Sequence, residues 1–192
     1  MYRIYAAVDE ALEGDLAKFP PKVIADDKGF AVYQDFLGNL TASQISNLAH
    51  GYVHNIANLH DHFTRWARKN DQDPKRVDQI VEASMPLQIV KDLSNNDKHG
   101  YPPRDGGYSG KAPRIAEVKR VLKLTTASKA GSFVGVIFTL GGPKKVGNGM
   151  SAIVITGQVV DAGGSILGDL YDICLDALSS WEIELKALGV IT

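Results

Sequence analysis

The chain has 192 residues, of which 44% are hydrophobic and 22% charged, as is typical of a soluble globular protein large enough to bury a core. Its single cysteine, Cys174, excludes an intramolecular disulfide and fits a reducing cytoplasm, where we expect the protein to be. No apolar run reaches the length of a membrane span. Residues 1–15 lack the basic start and long apolar stretch of a secretory signal, so we expect neither signal nor membrane contact.

The net charge of −1 conceals an uneven distribution along the chain. Residues 98–145 contain ten Lys or Arg and only two acids, whereas residues 1–97 and 146–192 are acidic. The basic segment either binds an anionic partner, RNA or an acidic protein, or docks on the acidic flanks within the fold. Under the first interpretation we expect nucleic acid to be bound by Arg104, Lys111, Arg114, Lys119, Arg120 and Lys123.

A capping box predicts the start of a long helix, because the hydroxyl of Thr41 and the amide of Gln44 stand three residues apart. The apolar residues that follow alternate between spacings of four and three, as they do on one face of a helix. These residues are Ile45, Ala49, Tyr52, Ile56, Leu59, Phe63 and Trp66. The helix is predicted to end near Asn70, and its length suits a helical bundle.

Two shorter helices are predicted next. Asp73-Pro74 is typical of a helix start, and Ser84-Met85-Pro86 interrupts the helix because the residue before a proline disfavours helical backbone. The following helix ends at Gly100. Residues 100–113 are rich in glycine and proline and predict a loop.

The hydrophobic period changes after residue 113. Residues 114–160 predict a three-stranded antiparallel meander, with Gly141–Gly149 as the hairpin between its last two strands. Ser165 is a candidate N-cap for the last helix, and a further short helix is predicted over Phe30–Leu40.

These elements predict an α+β fold in which residues 1–192 form a single domain. It is mainly an α-helical bundle, residues 30–100 and 165–190. The three-stranded antiparallel β-meander, about 114–160, is inserted before the last helix.

Two patterns are typical of ligand sites but lack essential parts. Gly142–Gly147 has the glycine spacing of a phosphate loop, yet Asn148-Gly149 replaces the required Lys-Ser/Thr and a strand follows, so we expect no nucleotide there. His50 and His54 are spaced to chelate a metal, but no third ligand is evident. We expect them on a solvated polar face, and we expect no metal or cofactor.

A polar groove is the stronger candidate. Three residues on one flank of the long helix are predicted to form it: Asn58, His62 and Arg65. If the helix that ends at His99 packs alongside, its polar end shares the groove, and the tentative catalytic residues are Asn95, Lys98 and His99. The alternative for His99 is purely structural, since Lys and His in a last turn complement the helix dipole.

The segments Leu59-His60-Asp61-His62 and Asp92–His99, followed by a late helix, resemble the HEPN superfamily of helical-bundle domains. Such domains occur in bacterial RNase toxins, toxin–antitoxin and defence systems. In active members an arginine lies four to six positions before a histidine. His99 matches that histidine, but no arginine precedes it, and Lys98 or Lys91 would have to supply the positive charge.

The resemblance implies a nucleic-acid-associated protein. It is either an active, metal-independent endoribonuclease or a degenerate member of the superfamily. The alternative is a non-catalytic, homodimeric protein-interaction module. A homodimer is expected in either case, because two apolar helix faces could pair across a two-fold axis.

Overall fold

The computed structural model describes residues 19, 22–26, 29–38, 40–139 and 142–190, which adopt an α+β fold as predicted. The expectation for residues 1–15 lies outside this part of the chain. The described helices are α1 (Ala42–Lys69), α2 (Lys75–Ala83), α3 (Met85–His99) and α4 (Leu170–Ala187). The described strands are β1 (Lys22–Asp26), β2 (Gly29–Tyr33), β3 (Arg114–Thr125), β4 (Val134–Thr139), β5 (Gly142–Gly147), β6 (Met150–Val160) and β7 (Ile166–Asp169).

The helix starts and stops predicted between residues 41 and 100 are confirmed. At the start of α1, Thr41 N donates to Gln44 Oε1 at 2.8 Å and Gln44 N donates to Thr41 Oγ1 at 3.2 Å, which completes the capping box. Ser84 has extended backbone and separates α2 from α3. Gly100 ends α3 with φ +89°, a conformation that glycine adopts without strain.

The predicted meander is wrong in its strand pairing. The three-stranded sheet has the order β3-β6-β7, whereas β4 pairs with β5 as a separate antiparallel hairpin in which Ile137 lies opposite Lys144. The segment expected as a hairpin connection is therefore mostly strand β5. Pairing β4 with the segment that follows it closes only a very short loop, which carries a small entropy penalty.

Two further predictions are wrong at element boundaries. The helix expected over Phe30–Leu40 is absent from its described residues, because β2 occupies Gly29–Tyr33 and pairs with β1. The last helix is capped by Asp169, not Ser165: Asp169 Oδ1 accepts a hydrogen bond from Tyr171 N at 2.9 Å. Residues 166–169 are drawn into β7, where Gly168 pairs with Val159 of β6.

The chain, expected to be a single domain, divides into two compact units. The first unit comprises residues 1–45 and 119–155, and the second comprises residues 46–118 and 156–192. The expected β insert of about 114–160 thus overlaps the first unit, which also takes in N-terminal residues. In the first unit, Phe19 and Ile153 form a small buried core with Phe36, Leu122 and Val136 packed against it.

The second unit contains nearly all of the four described helices, whose apolar faces form its core. Ile56, Val90 and Cys174 are fully buried there. Helix α1 contacts α4 through the rings of Phe63 and Trp181, whose centroids lie 5.1 Å apart, and α4 also contacts α2 and α3. This packing holds α3 against α4. None of the described helices has the length and apolar character needed to cross a membrane.

Candidate functional site

The last two turns of α3 carry the polar cluster Lys91–His99, and they open onto a cleft of about 550 Å³. That volume lies within the usual range for small-molecule and cofactor sites. The cleft is bounded by α3 on one side and by the loop after Gly100 on the other. Its lining residues are Asp92, Asn95, Asn96, His99, Gly100, Pro102, Pro103, Gly107 and Tyr108.

Asp92 anchors the loop that forms the far wall of the cleft. Its carboxylate is 1% exposed and accepts hydrogen bonds from Tyr108 N at 2.6 Å, Ser109 N at 2.8 Å and Ser109 Oγ at 2.6 Å. Charge-assisted hydrogen bonds to a buried carboxylate are strong, so the loop is held in one conformation. Gly107 lies directly against Asp92 with φ +77°, where a Cβ would stand 2.6 Å from Asp92 Cγ.

Tyr108 presents an aromatic ring at the wall of the cleft and is 55% exposed. The ammonium of Lys91 lies 4.3 Å from the centroid of this ring, within the range of a cation–π interaction. An exposed aromatic ring with a cation against it is a common element of single-stranded nucleic-acid sites. Sequence reasoning missed Tyr108 and Asp92. The signal available was the Gly-Gly-Tyr-Ser-Gly turn, whose backbone donors require an acceptor.

The predicted polar groove is brought together only in part. Asn95 and His99 line the cleft, and His99 is exposed. Lys98 is exposed and does not line the cleft; its Nζ lies 3.5 Å from Asn58 Oδ1, at the outer limit of a hydrogen bond. The other two groove residues, His62 and Arg65, are exposed on α1 and do not line the cleft.

His54 does not lie on a solvated face, so the prediction is wrong for this residue, whereas the side chain of His50 is 36% exposed. His54 is half-buried: its Nδ1 lies 2.7 Å from Ser94 Oγ, and its Nε2 lies 2.6 Å from Asp97 Oδ2. His50 Nδ1 lies 3.6 Å from the same Asp97 oxygen. The reason is that this second face of α1 packs on α3, which the apolar stripe alone does not indicate.

A serine, a histidine and an aspartate are also the residues of a hydrolase catalytic triad, but here the serine, Ser94, is not accessible to a substrate. Ser94 is 1% exposed, so no substrate carbonyl can reach its Oγ. The carboxylate of Asp97 accepts a hydrogen bond from Nε2–H of His54. Nδ1 of His54 is then free to accept a hydrogen bond from the hydroxyl of Ser94. These residues therefore join α1 to α3. Within the described residues, no three His, Cys, Asp or Glu side chains are arranged to hold a metal.

The predicted basic residues are divided between the two units. In the second unit Lys111 and Arg114 are exposed, and the side chain of Arg104 lies outside the described part. Lys119, Arg120 and Lys123 lie on the part of β3 that belongs to the first unit.

Arg120 is partly buried and packs against the small core of the first unit. Its guanidinium carbon lies 4.8 Å from the centroid of the Phe19 ring, and burial lowers the pKa of Arg120 from its ordinary value. Strand alternation explains this position, because Arg120 shares a face with Leu122, which packs on that core.

Comparison with known proteins supplies no relative. No protein-family model, curated protein or solved structure matches the chain.

Proposed function

We propose that this chain is an HEPN-like, nucleic-acid-associated protein that binds single-stranded RNA in the cleft at the C-terminal end of α3. One observation carries the proposal: His99, Asn95 and the exposed ring of Tyr108 line a single cleft. Proteins that bind single strands combine aromatic rings, on which bases stack, with cations that attract the backbone. Lys91 against Tyr108, and the exposed Lys111 and Arg114 of the same unit, fit that requirement.

Within this proposal, His99 is the candidate proton-transfer group of a divergent endoribonuclease. Metal-independent cleavage of RNA forms a bond from the ribose 2′-oxygen to phosphorus and breaks the bond from phosphorus to the 5′-oxygen. A proton leaves the 2′-hydroxyl and another is delivered to the departing 5′-oxygen. A histidine can make both transfers because its pKa lies near neutrality.

In the HEPN pattern an arginine four to six positions before the histidine supplies the cation beside the phosphate. This chain has no arginine at those positions before His99. The structure favours Lys91 over Lys98 for this role, because the Lys91 ammonium is held 4.3 Å from the centroid of a ring that lines the cleft. A lysine is a point charge without the bidentate geometry of arginine. A slow or degenerate enzyme of the bacterial toxin or defence type is consistent with that exchange.

Cleavage is tested with an end-labelled single-stranded RNA in the presence of EDTA, using wild type and His99→Ala. The proposal expects products ending in a 2′,3′-cyclic phosphate, and loss of about 10²–10⁴-fold of the rate in the variant. A 2′-deoxy substitution at the cleaved position should abolish the reaction. Binding without cleavage would identify a degenerate member, and absence of both would remove the nucleic-acid proposal.

A second candidate function, a non-catalytic homodimeric interaction module, is favoured by exposed apolar side chains in the first unit. Phe133, Ile137, Phe138 and Met150 are between 48% and 69% exposed. Exposed apolar surface of this kind is typical of protein-interaction sites. Light scattering distinguishes the states: a homodimer gives twice the monomer mass of 20.8 kDa, and Ile137→Asp should restore the monomer.

A further inference from the structure

The first unit contains a segment whose charged side chains are all positive. Residues 119–155 include six Lys or Arg and neither Asp nor Glu. Two of these cations, Lys129 and Lys144, are exposed, and their ammonium groups make no ion pair or hydrogen bond with any described residue. Lys145 differs, because its Nζ donates to Gly149 O at 2.8 Å. A surface of this charge attracts a polyanion, and Lys129 and Lys144 are available to its phosphates.

One face of the β4–β5 hairpin points away from the small core of the first unit. Val136 packs on that core, and successive residues of a strand point to opposite faces, so Ile137 lies on the other side. The cross-strand partner of Ile137 is Lys144. Val146 shares their face, because a Cβ added at its partner Gly135 would stand 3.5 Å from Val146 Cγ2. We call this side of the hairpin the outer face.

Phe133 continues the outer face, since it lies two residues before Gly135. It is 59% exposed, yet its backbone is held: Phe133 N donates to Asn148 Oδ1 at 3.1 Å, and Asn148 N donates to Phe133 O at 3.0 Å. Lys129 lies in the turn just before it, where Ser132 N donates to Lys129 O at 3.1 Å. An exposed aromatic ring on a fixed backbone, with lysines nearby, is the arrangement on which single-stranded bases stack.

The composition of the outer face favours nucleic acid over a protein partner. Lysine is depleted at protein–protein interfaces, whereas lysines commonly neutralise the phosphates of bound nucleic acid. A second copy of the chain, paired across a two-fold axis, would place the same patch against itself. Lys129 and Lys144 would then face the like charges of the partner, which opposes that pairing.

We propose that the outer face of the hairpin binds single-stranded nucleic acid, with a base on Phe133 and phosphates on Lys129 and Lys144. Neither stacking nor phosphate contact reads the sugar, so this surface takes DNA and RNA alike. The surface belongs to the first unit, so the proposal goes beyond RNA binding in the cleft and does not depend on it.

The experiment uses a fluorescein-labelled octamer of deoxythymidylate, which lacks the 2′-hydroxyl and cannot be cleaved by the proposed reaction. Anisotropy measures its binding to Tyr108→Ala protein, in which the cleft has lost its stacking ring. In that background Phe133→Ala should weaken binding about tenfold, as the loss of one stacked base predicts. Phe138→Ala is the matched control and should leave the affinity unchanged, because Phe138 is 52% exposed on the same strand but shares the face of Val136.

The salt dependence of the same binding tests the phosphate contacts. For single strands, each phosphate contact contributes about 0.7 to the slope of log affinity against log salt. Lys144→Ala should therefore reduce the slope by about 0.7, whereas Lys75→Ala, at an exposed lysine of α2, should leave it unchanged. If Phe133→Ala does not fold, the slope of Lys144→Ala decides, and an unchanged slope overturns the surface.

The possible failures separate this surface from the cleft. Absence of octamer binding by Tyr108→Ala protein, or equal losses in Phe133→Ala and Phe138→Ala, overturns the hairpin surface. A dimer in light scattering that Phe133→Ala dissociates assigns the outer face to a second copy and also overturns it. Failure of the cleft proposal gives a different result: Tyr108→Ala would bind RNA as tightly as wild type, while Phe133→Ala would still weaken binding.

Discussion

The contact between Gly107 and Asp92 predicts a large stability loss for Gly107→Ala. The φ of +77° costs an L-residue about 1–2 kcal/mol. An added Cβ would also stand 2.6 Å from Asp92 Cγ, so the buried carboxylate has to move. The loss of even one of its charge-assisted hydrogen bonds adds about 1.5–3 kcal/mol. We therefore expect Gly107→Ala to lower the free energy of unfolding by about 2.5–5 kcal/mol, against the roughly 5–15 kcal/mol that domains possess.

Gly110→Ala is the matched control, because Gly110 lies in the same loop at φ +66° with nothing within 4 Å of its added Cβ. It should show the backbone strain alone, about 1–2 kcal/mol. Urea unfolding followed by tryptophan fluorescence measures both variants, since Trp181 is buried in the unit that contains the loop. Equal losses in the two variants would show that Asp92 does not anchor the loop as described.

Two other predictions concern the second unit. His54→Ala removes both hydrogen bonds that join α1 to Ser94 and Asp97, and it should lower the free energy of unfolding by about 1–3 kcal/mol. His62→Ala, at an exposed position of the same helix, should stay within about 0.5 kcal/mol in the same urea titration, and a similar loss in both would contradict the link. Burial, and secondarily the charge of Asp169, raises the pKa of the Cys174 thiol. A thiol reagent at about pH 8.5, where an exposed cysteine is half ionised, should therefore react only after denaturant is added, and rapid reaction of the native protein would refute its burial.

Helix boundaries could be predicted because their signals are local. The Thr41 and Gln44 side chains cap α1 within four residues, and Gly100 ends α3 by its own backbone conformation. Strand pairing could not be predicted in the same way, because it depends on which distant segment competes for each edge. Ser165 is an acceptable N-cap in sequence, but residues 166–169 pair with β6 and move the cap to Asp169.

The candidate site was predicted where it follows from helix periodicity and missed where it depends on packing. Asn95 and His99 were placed on one side of α3, and both line the cleft. Tyr108 and Asp92 are far apart in sequence and meet only through the loop fold. The position of Arg120 could have been predicted from strand alternation, because residues two apart on a strand lie on the same face and Arg120 is two residues before Leu122. Its charge suggested a surface role instead.

The central claim is that single-stranded RNA binds in the cleft beside His99, and NMR tests it most directly. A titration of isotope-labelled protein with an RNA octamer should shift the backbone amides of Asn95, Asn96 and Tyr108 and the imidazole resonances of His99. The shifts should weaken as salt is raised, because phosphate contacts release counterions. Unchanged resonances at these residues, or shifts confined to the first unit, would contradict the account.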